Sequence, residues 1–192
     1  MNRRDAIQRT ALILGYAVSA PALMGILKGC KAAPELNYQP VFLSEEQAGV
    51  VSELAEILLP KTDTPGAKDV GVPRFIDQVV NECYAKEDQD RFLQGLQKFD
   101  EDARKAFGDS FVYGEPADQL AFVKQQHDEA VAMIKADPSA KRPFILMVKE
   151  LTLLGYFTSE PGATQVLQYE PVPGAYHGCV PLTEVGKTWA TS

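Results

Sequence analysis

The sequence predicts an all-α fold, in which a single compact domain of about five or six helices is followed by an extended C-terminal tail rich in proline and glycine. Apolar residues recur at spacings of three and four along most of the chain, and prolines or capping residues stand where the periodic segments would begin. No stretch alternates apolar and polar residues for long enough to indicate a sheet. The length of 192 residues, 45% of them hydrophobic, is enough for one domain with its own core.

The first thirty residues are predicted to be a signal peptide outside the fold. Arg3 and Arg4 precede an uncharged run over 11–27, which is shorter and less apolar than the roughly 20 residues of a permanent membrane span. Paired arginines before such a run are similar to a twin-arginine export signal. The sequence LKGC is similar to a lipobox, so Cys30 is the candidate lipidation site. The alternatives are a basic flank on an uncleaved anchor and, for Cys30, a spare thiol.

The chain beyond the signal is strongly acidic. The net charge is −7, and residues 1–29 contribute +3 because four basic residues stand against Asp5, which leaves −10 for the remainder. An acidic surface argues against nucleic-acid binding, which relies on clustered Lys and Arg. Residues 31–40 contain two prolines and no apolar periodicity, and we interpret them as a tether between Cys30 and a domain at 41–192.

The first two predicted helices are separated by a loop rich in Asp, Pro and Gly. Ser44 and Gln47 have the spacing of a capping box, and Pro60 ends the first helix. Pro73 can open the second helix. The predicted inward-facing residues of the two helices are Val50, Val51, Leu54, Ile57, Leu58, Phe75, Ile76, Val79, Val80 and Cys83.

Three longer helical segments follow. The third runs from about Asp88 to Phe107, and Gly95 weakens it without ending it. Pro116 opens the fourth and Pro143 the fifth, whose sequence PFILMVKELTLLGYF is apolar on most sides and therefore central. The predicted inward-facing residues of the third and fourth helices are Phe92, Leu96, Phe99, Ala103, Phe107, Leu120, Val123, Ala130, Val131 and Ile134.

The last thirty residues differ from the helical segments in composition. Residues 159–167 can form a short helix, but the stretch YEPVPGAYHGCVPL contains too much proline and glycine for one. An extended apolar segment of this type packs either on the helices of its own domain or on another subunit. The sequence leaves both alternatives open.

Few residues are candidates for catalysis or for binding a cofactor or metal. No stretch matches a dinucleotide-binding or phosphate-binding glycine motif, a zinc site or a covalent haem site. His127 and His177 are the strongest general-base candidates, and neither lies near a motif that would supply a nucleophile. A stand-alone enzyme that uses these histidines is the least favoured interpretation. The carboxylates at 45–46 and 100–102 are predicted to be solvent-facing charge, and Asp63 is predicted to stabilise a turn.

The cysteines leave several pairings open. Cys83 falls on the apolar face of the second helix and is predicted to be a small buried residue. Cys179 lies in the irregular tail. An exported protein can keep disulfides, so Cys179 could pair with Cys83 or with another chain.

Three stretches together resemble the gluconate 2-dehydrogenase subunit 3 (gamma subunit) family, the small subunit of membrane-bound, flavin-dependent sugar and sugar-acid dehydrogenases. They are the arginine signal, EILLPKTDTPGAKDVGVPRFID at 56–77, and LGYFTSEPGATQVLQYEPVPGAYHGC at 154–179. With the helical middle, the resemblance covers nearly the whole mature chain.

The resemblance implies a non-catalytic subunit that binds no cofactor itself. In such complexes FAD and the oxidation belong to a large flavoprotein of the glucose-methanol-choline oxidoreductase type, and a multihaem cytochrome c, where present, takes the electrons. The small subunit binds the large one in the cytoplasm and carries it folded through the twin-arginine translocase to the periplasm. A lipidated Cys30 would be a departure from this pattern and would anchor the complex through this subunit. The alternative is a structural lipoprotein that holds another exported partner.

The expected contacts with the partner lie in two regions, and no catalytic or metal-binding residue is expected. The first consists of aromatic residues and a cysteine beside irregular backbone, namely Tyr156, Phe157, Tyr169, Tyr176 and Cys179. The second is the loop from Thr62 to Val72, with Asp63, Pro65 and Gly66. The aromatic residues could instead cover the core of their own domain.

Overall fold

In the computed structural model, which describes residues 36–172, 174–175 and 178–190, the chain folds into α-helices, four of which pack around one central helix. The helices are α1 (Glu45–Leu58), α2 (Val72–Cys83), α3 (Lys86–Phe107), α4 (Pro116–Ala136), α5 (Phe144–Thr158) and α6 (Leu182–Val185). A 3₁₀ turn covers Phe111–Tyr113 and a π-helical turn Gly162–Val166. The described residues contain no β-strand, so the predicted all-α domain is confirmed.

Some of the predicted features lie outside these residues. They are Arg3, Arg4 and Cys30 of the signal, most of the tether, and Tyr176 and His177 of the tail. Within the part of the chain that the structure describes, each helix is too short or too polar to span a bilayer.

The predicted helix starts are present. The amide of Gln47 donates to the hydroxyl oxygen of Ser44 at 3.2 Å, and the amide of Ser44 donates to the side-chain oxygen of Gln47 at 3.0 Å, which completes the capping box of α1. Proline occupies the first turn of α2 and of α4, where a missing amide proton costs no hydrogen bond. Helix α5 begins directly after Pro143.

Helix α5 is the centre of the core, as its composition predicts. It packs against α1, α2, α3, α4 and the π-helical turn. Two glycines allow close approach: a Cβ on Gly95 would lie 2.5 Å from the Cβ of Phe144, and one on Gly155 would lie 2.6 Å from the ring of Phe75. Gly95 is therefore a contact point between α3 and α5, although the sequence shows only a weak helix former there.

Phenylalanines connect the other elements to α5. The ring centroid of Phe99 lies 4.9 Å from that of Phe111, 5.1 Å from Phe122 and 5.6 Å from Phe144. These distances are typical of tilted and edge-to-face aromatic pairs. The cluster joins α3, the 3₁₀ turn, α4 and α5 in one core.

Two of the predicted core positions are exposed. Leu120 is 51% exposed because the preceding residue, Gln119, faces inward and donates from its amide nitrogen to the carbonyl oxygen of Phe111 at 2.7 Å. Cys83 is exposed because the last turn of α2 extends past the core, with residues 81 and 82 exposed as well. The prediction that Cys83 is buried is wrong.

Asp100 also differs from its predicted role as solvent-facing charge. It is half-buried, and one of its carboxylate oxygens accepts hydrogen bonds from the hydroxyl of Ser110 at 2.6 Å and from the amide of Phe111 at 2.8 Å. The other oxygen pairs with Arg104 at 2.9 Å. Asp100 therefore fixes the 3₁₀ turn against α3.

Candidate functional site

The loop between α1 and α2 is held by one carboxylate. Glu56, in α1, accepts hydrogen bonds from the amide of Lys61 at 3.0 Å and from the amide of Lys68 at 2.9 Å. A Cβ on Gly66 would lie 2.3 Å from the same carboxylate, so glycine at this position lets the loop close over it. Glu56 thus fixes both sides of the loop.

A second carboxylate links residues within the loop. Asp69 accepts a hydrogen bond from the amide of Gly66 at 3.1 Å and pairs with the ammonium group of Lys61 at 3.0 Å. The hydrogen bond from Lys61 and then that from Gly66 hold the pKa of Asp69 below its ordinary value of 3.8. The loop is therefore a structured surface feature.

Asp63 is an exposed carboxylate of this loop. Among the three predicted contact residues, Asp63 is exposed, Pro65 is half-buried and Gly66 is buried. Asp63 was expected to bond the following backbone, but the described residues show no such bond; the amide of Thr64 reaches the hydroxyl of Thr62 at 3.5 Å. The carboxylate of Asp63 is left facing solvent on a fixed backbone.

Tyr156 connects this loop to the central helix. Its side chain is buried, with 4% of its surface exposed, and its hydroxyl donates to the carbonyl oxygen of Pro65 at 2.7 Å. Phe157 is half-buried, and its ring lies edge-on to that of Tyr156 with centroids 5.3 Å apart. The structure places Tyr156 in the cover of its own core, which is the alternative that the sequence left open, and its hydroxyl supports the loop from within.

A third carboxylate, which sequence reasoning missed, fixes the entry of the chain into the domain. Asp77 is 1% exposed and accepts hydrogen bonds from the amides of Val41 at 2.7 Å, Phe42 at 3.1 Å and Leu43 at 2.8 Å. The hydroxyl of Tyr38 donates to the carbonyl oxygen of Pro73 at 3.3 Å, and burial together with the carboxylate of Asp77 raises the pKa of Tyr38. Residues 36–40, the last part of the predicted tether, therefore pack on α2.

The C-terminal loop, defined as the described residues of 169–181, is exposed throughout. Tyr169 is 51% exposed, Val172 80% and Val180 47%. Of the two alternatives that the sequence leaves open for this tail, packing on the helices of its own domain is not seen for the described residues of 169–181. Cys179 lies in this loop as an exposed free thiol, and Cys83 is also free, so the two do not form a disulfide.

His127 contacts charged side chains of its own domain. Its Nε2 lies 2.9 Å from the ammonium nitrogen of Lys149 on α5, and its Nδ1 lies 3.3 Å from a carboxylate oxygen of Asp128. The ring thereby links α4 to α5. Within the described residues, no group of three or more His, Cys, Asp and Glu side chains has the arrangement of a metal site.

The comparison with known families gives one finding. A sequence model described as gluconate 2-dehydrogenase subunit 3 matches residues 45–174. The match begins at the first residue of α1, ends inside the C-terminal loop, and includes Glu56, Asp77 and Tyr156. No curated protein and no solved structure matches the chain.

Proposed function

The chain belongs to the gluconate 2-dehydrogenase subunit 3 family, and we propose that it is the non-catalytic small (gamma) subunit of a FAD-dependent sugar or sugar-acid dehydrogenase complex. In this proposal the FAD and the oxidation belong to a large flavoprotein subunit. This chain stabilises the folded flavoprotein and brings it to the periplasmic side of the cytoplasmic membrane. The observation that carries the proposal is the exposed apolar loop at 169–181, which a domain with a filled core does not need for its own stability.

The exposed loop supports a protein partner. Burial of apolar surface contributes about 25 cal/mol per Å², so covering Tyr169, Val172 and Val180 would favour association. Contiguous exposed apolar surface on a soluble domain is typical of an interaction site. A permanent interface of this type buries about 2,000 Å² or more in total.

The loop between α1 and α2 supports a second contact. Glu56, Asp69 and Tyr156 fix its backbone, so the exposed carboxylate of Asp63 is presented without a large ordering cost on binding. A cationic or amide-donating group on the large subunit is its natural counterpart. The loop between α1 and α2 therefore offers a surface that is already formed before the partner binds.

The N-terminal segment supports export of the complex. Arg3 and Arg4 precede the apolar run that resembles a twin-arginine signal, a route for proteins that are already folded. A flavoprotein bound to this chain would cross the membrane with it. Lipidation of Cys30 would then hold the complex at the membrane, and a cytochrome c subunit would be one acceptor of its electrons.

Affinity purification tests the central proposal. The tagged chain is recovered from the membrane fraction of its native cells, and the eluate is examined by visible absorption and by protein identification. We expect a flavin spectrum and a large oxidoreductase in constant proportion to this chain. A colourless chain that elutes alone would overturn the proposal.

Changing the paired arginines tests the export role. Arg3→Lys together with Arg4→Lys should leave both this chain and the flavoprotein in the cytoplasm, because the twin-arginine route depends on that pair. Arg9→Lys is the matched control, since it keeps the pair intact. Normal export of the flavoprotein with the doubly changed chain would contradict a shared route.

A further inference from the structure

The last described residues of the chain form hydrogen bonds with Gln168. The amide of Gln168 donates to the carbonyl oxygen of Thr188 at 2.9 Å, and the amide of Ala190 donates to the carbonyl oxygen of Gln168 at 2.8 Å. Around these two bonds, Gln168 and Trp189 form a parallel bridge. This is the only β-type pairing among the described residues.

The side chain of Gln168 adds further bonds to the same segment. Its amide nitrogen donates to the carbonyl oxygens of Val185 and Lys187. The ammonium group of Lys187 in turn donates to the carbonyl oxygen of Gln165 at 3.0 Å. We call Gln168 together with residues 185–190 the clasp.

The clasp contributes little to the core. Gly162 is the last buried residue in the described part of the chain, and Trp189 in the clasp is 45% exposed. The segment 185–190 also lies beyond residue 174, where the match to the family ends. The main effect of these hydrogen bonds is to bring together the two ends of the C-terminal loop.

We propose that Gln168 is a positioning residue: the clasp joins the two ends of the C-terminal loop in advance, so that its described residues dock on the large flavoprotein subunit with those ends already held together. This inference rests on the proposed function. Closing a loop costs conformational entropy, and a loop that is closed before binding does not lose that entropy on association. The clasp would therefore raise the affinity of the complex without itself touching the partner.

The composition of the loop favours an apolar protein surface as its partner. Between 169 and 181 the sequence contains only one Asp, Glu, Lys or Arg, Glu170, in a chain whose mature part carries −10. Apolar side chains on both arms of the loop are exposed, with Val172 at 80% and Val180 at 47%. A loop that binds anionic lipid headgroups would instead be rich in Lys and Arg.

Gln168→Ala tests the inference, with Gln165→Ala as the matched control. Gln165 is exposed and accepts from Lys187 through its backbone carbonyl, which alanine keeps. Both variants are made in the full chain and measured free and against the purified large subunit. The readouts are amide hydrogen exchange at Gln168 and Ala190, the dissociation constant, and the thermal unfolding midpoint.

We expect Gln168→Ala to speed exchange at both amides in the free chain and to weaken binding roughly tenfold, while the unfolding midpoint stays at the wild-type value. A second variant, truncated after Val185, removes the backbone partners at Thr188 and Ala190 as well, so exchange at the amide of Gln168 should speed further and binding should weaken further.

Faster exchange with unchanged affinity would overturn the docking role. Weaker binding with unchanged exchange would also overturn it, because Gln168 would then act by direct contact with the partner. Failure of the wild-type chain itself to bind the large subunit would overturn the proposed function, and the docking role with it. That result is distinguishable, because in the other two cases the wild-type chain binds.

Discussion

The hydroxyl of Tyr156 donates a hydrogen bond to the carbonyl oxygen of Pro65, 2.7 Å away and 91 positions earlier in the chain. The bond joins the central helix to the loop between α1 and α2, and Tyr156 is 4% exposed. Tyr156→Phe should lower the free energy of unfolding by about 1–2 kcal/mol, because a partly buried carbonyl loses its partner. Urea unfolding measures this.

Tyr169→Phe is the control for that change. Tyr169 is 51% exposed, so removal of its hydroxyl should leave the free energy of unfolding of the isolated subunit within about 0.5 kcal/mol of wild type. Equal effects of the two changes would contradict the internal role of Tyr156.

Asp77 is expected to be the most sensitive carboxylate of the domain. Its two oxygens accept from three backbone amides, and an asparagine would offer one oxygen and place an NH₂ group against the remaining amides. Asp77→Asn should therefore cost about 2–4 kcal/mol of unfolding free energy and speed hydrogen exchange at Val41 and Leu43. Asp63→Asn, at an exposed site, should change neither quantity.

Gly95 should tolerate no methyl group. In an exposed helix, Gly→Ala stabilises by about 1 kcal/mol, but here the new Cβ would lie 2.5 Å from the Cβ of Phe144. Overpacking costs about 1–3 kcal/mol, which outweighs the gain in helix propensity, so Gly95→Ala should lower the free energy of unfolding. Gln94→Ala, at the exposed neighbouring position in α3, should be close to neutral. A Gly95→Ala protein more stable than wild type would show that α3 and α5 can separate without cost.

The ion pair of Asp69 gives a pH dependence with a defined sign. Its pKa is lower in the folded chain than the ordinary value of 3.8, so the carboxylate contributes stability above the unfolded pKa and loses that contribution as pH falls through the folded pKa. Asp69→Asn should be less stable than wild type near neutrality, and the difference should vanish in acid. Urea unfolding at a series of pH values measures it, and a difference that stays constant into acid would contradict the assignment.

The two free thiols provide a test of which face is covered in the complex. Cys83 and Cys179 are both exposed, so both should react with a maleimide reagent in the isolated subunit when Cys30→Ser removes the third cysteine. Binding of the large subunit should slow the reaction of Cys179 at least tenfold and leave Cys83 unchanged, because only Cys179 lies in the C-terminal loop. Equal reactivity of Cys179 in the free and bound states would place the interface elsewhere.

The helical framework was predictable because its signals are local. The capping box at Ser44 and the prolines at 73, 116 and 143 mark helix starts through backbone chemistry that depends on a few neighbouring residues. Leu120 was misplaced because periodicity alone does not show that Gln119 finds a partner in Phe111, and that bond turns the polar residue inward. A pattern of apolar spacings does not show hydrogen bonds of this kind between a helix and the turn before it.

The carboxylates that hold the candidate site, Asp77 and Glu56, were harder to predict because their hydrogen-bond partners lie in other elements of the fold. Asp77 stands between Ile76 and Val80 on the buried side of an amphipathic helix, and a carboxylate in that position is a signal that sequence reasoning could have used. Nothing in the local sequence shows that Glu56 binds amides at 61 and 68, since that role depends on how the loop folds back over α1.

The position of Gly162 as the last buried residue of the described chain has a consequence for how this subunit can change over evolutionary time. Val166 still packs against the core, but the described residues of 169–181 are all exposed, so substitutions in that loop affect stability less than substitutions in the core. Selection on the C-terminal loop would therefore act mainly through binding to the large subunit, whereas selection on α1 to α5 would act mainly through the stability of the domain.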